Sequence, residues 1–190
     1  MSRIRLNIFG LSSGQSNGSY TLILSEENGK RKLPIIIGGF EAQAIAIEIE
    51  KIVPFRPMTH DLFVSFCKIF NINITEIEIY NLIEGVFHAK LVCEKDGETY
   101  EIDARTSDAI ALGVRFKCPI FTFEDIMETA GVIFNDDIDV EEELEPPKPK
   151  GVDYSAQSLD KLNLLLEDAL KNEDYIKAAI IRDEIKNRKK

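Results

Sequence analysis

The sequence predicts an α+β fold: an antiparallel or mixed sheet with flanking helices, followed by a C-terminal α-helical hairpin. Three observations carry this. Strand-like and helix-like stretches do not alternate strictly over residues 1–135, which argues against a doubly wound parallel sheet. Residues 136–152 open with DDIDVEEELE and continue into PPKPKG, where like-charge repulsion and proline stiffness disfavour packing. Residues 153–190 carry two amphipathic stripes separated by Asn172, Glu173 and Asp174, the pattern of a helical hairpin. The chain therefore divides into a domain at 1–135, a linker at 136–152 and a hairpin at 153–190.

Each element has its own signal. RIRLNIFGL and SYTLILSE alternate as strands, joined by a loop rich in Ser, Gly and Asn. ENGK makes a turn into KLPIIIG, whose unbroken apolar run reads as a fully buried strand. FEAQAIAIEIEKI places Ala42, Ile45, Ala46, Ile49 and Ile52 on one helical stripe. RPMTHDLFVSFCKIF is a second helix, with Thr59 as N-cap and Leu62, Phe63, Phe66, Ile69 and Phe70 on one face. Residues 75–104 read as a three-stranded antiparallel meander with turns at Glu84-Gly85 and around Asp96-Gly97. TSDAIALGVRFK is a third helix, PIF a short strand, and FEDIMETAG a last helix closed by a Gly C-cap at Gly131. In the tail, Leu159, Leu162, Leu166, Ala169 and Leu170 form one stripe and Tyr175, Ala178, Ala179, Arg182 and Ile185 another, with Asp174 a candidate N-cap between them. A hairpin of this size buries little surface alone and calls for a protein partner.

Composition narrows the function classes. The 190 residues are 44% hydrophobic and 29% charged, a globular profile. No run approaches a membrane span, and MSRIRLNIFGL reads as a first strand rather than a signal peptide, so no membrane partner is expected. Cys67, Cys93 and Cys118 form no CxxC pair, which predicts reduced thiols in a cytoplasmic protein and argues against a zinc site. The net charge of −10 gives no global basic footprint for tight, passive nucleic-acid binding. It weighs less against a nuclease, which needs only local phosphate contacts and often metal-holding carboxylates.

EIDARTSDAIALGVR, residues 101–115, crowds Asp103, Arg105 and Asp108 where a strand hands over to a helix. As structure, Thr106 or Ser107 caps the helix, Asp108 favours its macrodipole and Arg105 pairs with a neighbouring aspartate. As chemistry, a carboxylate, a guanidinium and a helix N-terminus together suit a phosphodiester and a divalent metal. RPMTHDL repeats the theme: Arg56, His60 and Asp61 fall at another helix start. Should the two starts converge, His60 becomes a general acid/base with Asp61 orienting it or holding metal. Glu41 opens a further helix after Gly38 and Gly39. His88, on the less buried face of a strand, is a weaker ligand.

The stretches LPIIIGGFEAQAIA, RPMTHDL, FHAKL, IDARTSDAIALGVR and PIF, in this order, resemble the bifunctional nuclease family of bacteria and plants. The tail LDKLNLLLEDALKNEDYIKAAIIRDEIK resembles the UVR motif of the excision-repair proteins UvrB and UvrC. The first resemblance implies a self-associating nuclease, a homo-oligomer, acting on DNA and RNA with metal assistance, Mg²⁺ or Mn²⁺. The second implies a hairpin that docks a protein partner. The candidate set is then His60, Asp61, Asp103 and Asp108 as catalytic residues, Arg56, Arg105 and Ser107 as phosphate-binding residues, and Glu41, Asp103 and Asp108 as metal ligands. The chain departs from the family at Thr106, where Pro is frequent, at Gly113, where Ala is usual, and at His88, where an aromatic is common. A non-enzymatic adaptor in DNA repair or protein quality control is the alternative.

Overall fold

The computed structural model describes residues 2–13, 19–133, 157–171 and 175–188. The Ser/Gly/Asn-rich loop at 14–18, the linker, and the hairpin turn with Asp174 lie outside the described residues. The elements in chain order are β1 (Arg3–Ser13), β2 (Ser19–Glu26), β3 (Arg31–Gly38), α1 (Gly39–Ile49), α2 (Thr59–Ile69), β4 (Asn73–Ile83), β5 (Val86–Lys95), β6 (Glu98–Arg105), α3 (Thr106–Phe116), β7 (Ile120–Phe123), α4 (Glu124–Ala130), β8 (Val132–Ile133), α5 (Leu159–Lys171) and α6 (Tyr175–Asn187).

The strands form one mixed sheet in the order β6-β5-β4-β7-β1-β2-β3-β8. Two antiparallel meanders, β4-β5-β6 and β1-β2-β3, are joined by the short β7, which runs parallel to β4 and antiparallel to β1. The two turns of the β4-β5-β6 meander follow the two-residue hairpin rule. Glu84 and Gly85, and again Asp96 and Gly97, all have positive φ, the backbone of type I′ turns that matches strand twist. The second turn sets the β5–β6 register, which pairs Lys95 with Glu98 and runs without a break to His88 opposite Arg105.

The core lies between this sheet and the helices α1 and α3. Ile74, Ile77 and Ile79 of β4 and Leu22, Leu24, Leu33 and Ile35 of β2 and β3 meet Ala42 and Ile45 of α1 and Ala109, Ile110 and Ala111 of α3. Gly113 permits the closest of these approaches: a Cβ there would stand 2.8 Å from Cγ1 of Ile77. The glycine that weakens the helix is thus what lets α3 lie flat on β4.

Several local expectations give way to tertiary context. KLPIIIG is an edge strand rather than a fully buried one: β8 covers only Arg31 and Lys32, and Ile36 is 80% exposed. Pro34, which lacks an N–H, suits such an edge. In α1, Ala44 and Ile47 are buried while Ile49 is exposed, because α1 packs against both the sheet and α3. The N-cap of α2 is Met58, with Thr59 already inside the helix; Asp61 accepts from the Met58 N–H at 2.9 Å. Gly131 ends α4 in extended rather than left-handed backbone, since the chain must enter β8 directly. The apolar face of α2 points outward, and Cys67 is the helix's buried residue.

The tail forms the hairpin as expected, with its own core of Leu162, Ala169, Ala178, Ile181 and Ile185. Arg182 reaches away from that core. It donates to the backbone oxygen of Glu50 at 2.7 Å and to its carboxylate at 2.8 Å, which places a cation at the C-terminal end of α1.

Arg31 ties the two ends of the β1-β2-β3 side together. It makes a two-pronged pair with Glu26 at 2.9 and 3.0 Å and a second pair with Glu124 at 2.6 Å. The guanidinium holds both carboxyls below their ordinary range. Their contribution to stability is therefore present above the ordinary glutamate value and lost as pH falls through the lowered folded-state values.

Gly113→Ala should lower stability by about 1–2 kcal/mol in urea unfolding, overpacking against Ile77 outweighing the gain in helix propensity. Arg31→Met should open a stability gap from wild type that is largest above about pH 5 and closes towards about pH 3. Urea melts across that range measure it, and a gap constant with pH would contradict the assignment.

Candidate functional site

The site is built where β6 becomes α3. Arg105 ends the strand and serves as the N-cap of α3, yet its side chain makes no capping bond. Thr106 cannot supply one either, because its hydroxyl donates to the backbone oxygen of Phe87 at 2.9 Å and so pins the helix start to β5. The N-terminus of α3 is left without a side-chain cap. Gly38, the N-cap of α1, also has none. Both helix starts face one cleft of about 870 Å³, and the positive end of each helix dipole favours negative charge there.

The cleft lies between the two edges of the curved sheet. Ile35 to Gly38 of β3 form one wall, and Phe87, His88 and Asp103 to Ser107 form the other. Arg105 is the lone Lys or Arg among the described residues lining it. It bridges two carboxylates, binding Asp108 at 2.7 Å and Glu41 at 2.8 Å. These partners, Asp108 foremost, hold the guanidinium protonated beyond its ordinary range. Glu41 folds back over the start of its helix: a Cβ on Gly38 would lie 2.4 Å from Oε2 of Glu41. A side chain at residue 38 would crowd the Glu41 carboxylate where it meets Arg105. Ser107 is buried and lines the cleft.

His60 closes the chain of contacts. Its Nε2 lies 3.1 Å from Oδ1 of Asp108, with His60 14% and Asp108 29% exposed. The helix starts of α2 and α3 thus converge. His60 and Asp108 do not line the cleft and connect to it through Arg105.

Other residues fall elsewhere. Asp61 turns away from His60, whose orienting carboxylate is Asp108. Asp61 instead binds Nε of Arg115 at 2.8 Å, and Arg115 also donates to the backbone oxygens of Ala44 and Ala111. Arg115 is 4% exposed, so Asp61 is a structural counter-ion for a buried cation. Arg56 is exposed in the loop before α2 and does not line the cleft. Asp103 lines the cleft but accepts from the Tyr80 hydroxyl at 3.1 Å.

One group was underweighted in the sequence and another had no signal there. His88, read there as a weaker ligand, stands in the cleft wall opposite Arg105 in the ladder. Counting back from the Asp96-Gly97 turn gives this pairing from sequence alone. Arg115 had no such signal, because only packing buries it.

The carboxylates assigned to a metal do not gather. Glu41 and Asp108 share Arg105, Asp103 is bound to Tyr80, and among the described residues no three His, Cys, Asp or Glu side chains converge to hold an ion. The described side chains alone therefore offer no all-protein cage for an ion. The thiols are equally separate. All three are free, and burial pushes the Cys118 thiol up to about 11.

The geometry defines an α+β domain with a polar cleft at two uncapped helix starts, centred on an arginine held between carboxylates. The bifunctional nuclease domain family matches residues 22–135, and the chain belongs to that family. Two proteins of Mycobacterium tuberculosis, both named as uncharacterized, are similar to it: MT1877 of strain CDC 1551 and Rv1829 of strain H37Rv. Each is 35% identical over 136 residues, spanning 72% of this chain and 81% of its own. Among the described residues no helix is long and apolar enough to cross a membrane.

Asp61→Ala should cost about 3 kcal/mol, because it strands the buried Arg115 charge. Asp103→Asn should change stability by less than about 0.5 kcal/mol. Chemical denaturation of the two variants tests the distinction between a structural and a cleft-lining aspartate.

Proposed function

We propose that the chain hydrolyses phosphodiester bonds of DNA and RNA in the cleft between β3 and β6. The carrying observation is Arg105, set at the uncapped N-terminus of α3 and facing that cleft. Its guanidinium, Ser107 and the positive end of the α3 dipole suit a phosphate and the charge that grows on it during attack. Glu41 and His88, which share the cleft with Arg105, are the groups placed for proton transfer. One would take a proton from the attacking water and the other would give one to the departing sugar oxygen. His60 and Asp108 position Arg105 from behind.

The helical pair α5–α6 is the part of the chain suited to docking a protein partner, in line with its likeness to a UVR motif. Its core is separate from that of the domain. A cytoplasmic location agrees with the three free thiols.

A specific observation favours the alternative, a non-enzymatic adaptor. Glu41, Asp103 and Asp108 leave the cleft region net negative around its single arginine, and a polyanion gains little from such a surface.

Cleavage of fluorescent single-stranded DNA and RNA separates the readings, run with Mg²⁺, Mn²⁺ or EDTA. Arg105→Ala should lower the rate about 100-fold or more, and Glu41→Gln and His88→Asn should each lower it about 100-fold. His60→Asn should lower it less, with the loss partly in KM. Undiminished cleavage by Arg105→Ala would show that the activity does not arise in this cleft, and an inactive wild type in every metal condition would favour the adaptor.

A further inference from the structure

We propose, resting on the reading of the cleft as a phosphodiester site, that Glu41 is a gate on Arg105: its carboxylate holds the donor that a substrate phosphate needs, and the arriving phosphate displaces it. The two ion pairs of Arg105 divide its fork. Nε goes to Oδ2 of Asp108 at 2.7 Å, and Nη2 goes to Oε1 of Glu41 at 2.8 Å. Arg31 shows the same two donors undivided, with Nε and Nη2 both on the carboxylate of Glu26. A guanidinium offers two parallel N–H donors to one anion from Nε and Nη2 or from Nη1 and Nη2. Nη2 is common to both arrangements, and in Arg105 it is the donor that Glu41 occupies. A phosphodiester, with its two non-bridging oxygens, takes a two-pronged seat on Arg105 only after Glu41 has left.

Glu41, rather than Asp108, is the partner placed to leave. Asp108 is held from its other side, with Oδ1 3.1 Å from Nε2 of His60, so moving it breaks two contacts. Among the described residues Glu41 has its ion pair with Arg105 alone. Glu41 also lines the open volume of the cleft, into which its side chain can turn, whereas Asp108 does not. Asp108 does more than Glu41 to hold the guanidinium protonated, so the cation keeps its stronger partner through the exchange. The Arg105 side chain is 69% exposed, and a phosphate therefore reaches it from solvent. The exchange replaces one charge-assisted bond by two. It also leaves the Glu41 oxygens disengaged in the same cleft, available for proton transfer once substrate is bound. An anion with a single acceptor atom trades one bond for another and gains nothing, so the gate selects anions that present two oxygens.

The test titrates dimethyl phosphate into the full chain and follows the arginine Nε–H signals by NMR, comparing wild type, Glu41→Gln, Glu41→Ala, Asp108→Asn and Arg105→Ala. Removing the competing carboxylate should tighten dimethyl phosphate binding about 10-fold in both Glu41 variants. Arg105→Ala should abolish it. Asp108→Asn removes the same charge without freeing Nη2, and should not tighten binding. In cleavage of the fluorescent DNA, Glu41→Gln should lower KM about 10-fold while kcat falls, the split expected when one group both competes with bound substrate and transfers a proton. Unchanged or weaker binding in both Glu41 variants, with circular dichroism as in wild type, would overturn the gate. Equal tightening by Asp108→Asn would overturn it too, since net charge would then be the cause. Tighter binding in chains that cleave no nucleic acid would keep the gate and remove the hydrolytic reading, and cleavage by wild type without tighter binding in the Glu41 variants would do the reverse.

Discussion

The fold of the helical layer hangs on one buried cation. Arg115 of α3 is almost wholly enclosed and spends its donors on the backbone of Ala44 in α1, the backbone of Ala111 in its own helix and the Asp61 carboxylate in α2. Three helices are thereby fixed to one guanidinium. Its Nη2 is buried without a hydrogen-bond partner, so the arrangement is held at some cost in unsatisfied polarity. What it secures is the crossing of α2 over α3. Asp61 and His60 are neighbours on α2, while their partners Arg115 and Asp108 lie two turns apart on α3. Anchoring Asp61 at one point brings His60 to Asp108 at the other, and Asp108 in turn steadies Arg105 in the cleft.

The cleft follows from the sheet in the same way. A flat sheet would place β3 and β6 far apart, near opposite margins. Twist and the bulges in β1 and β4 curve it so that both strands border one space. Helices α1 and α3 fill the inside of the curve, and their starts open into the gap between the edges. Polar backbone from two sources, strand edges and helix N-termini, therefore faces the same volume. Apolar side chains such as Ile36 and Val86 also line the cleft, beside the charged cluster.

The strands and helices themselves were legible because their signals are local. Alternation marked β1, β2 and the meander, and the residues at its turns named their own geometry. The α2 start was misread because Thr59 and Asp61 can both serve a helix N-terminus, and the choice between them depended on Arg115, a residue distant in sequence. The buried appearance of KLPIIIG misled for a different reason: an unbroken apolar run reports that both sides lack polar groups, not that both are covered. Within the site, Asp103, Arg105 and Asp108 were found as a cluster, but sequence could not show that one arginine would bridge Glu41 and Asp108. That bridge is a long-range contact between two helix starts.

β7 has a consequence for how the chain comes to be folded. It is four residues long, and yet it is the seam between the two meanders, pairing with the first strand of the chain on one side and with β4 on the other. Until β7 is in place, β1 has an open edge and the β1-β2-β3 unit has no route to the remainder of the sheet. During synthesis from the N-terminus, that unit must wait for most of the domain to emerge before its exposed edge is closed. A chain lacking β7 would leave the margins of both β1 and β4 open, the kind of strand edge that invites pairing with other chains.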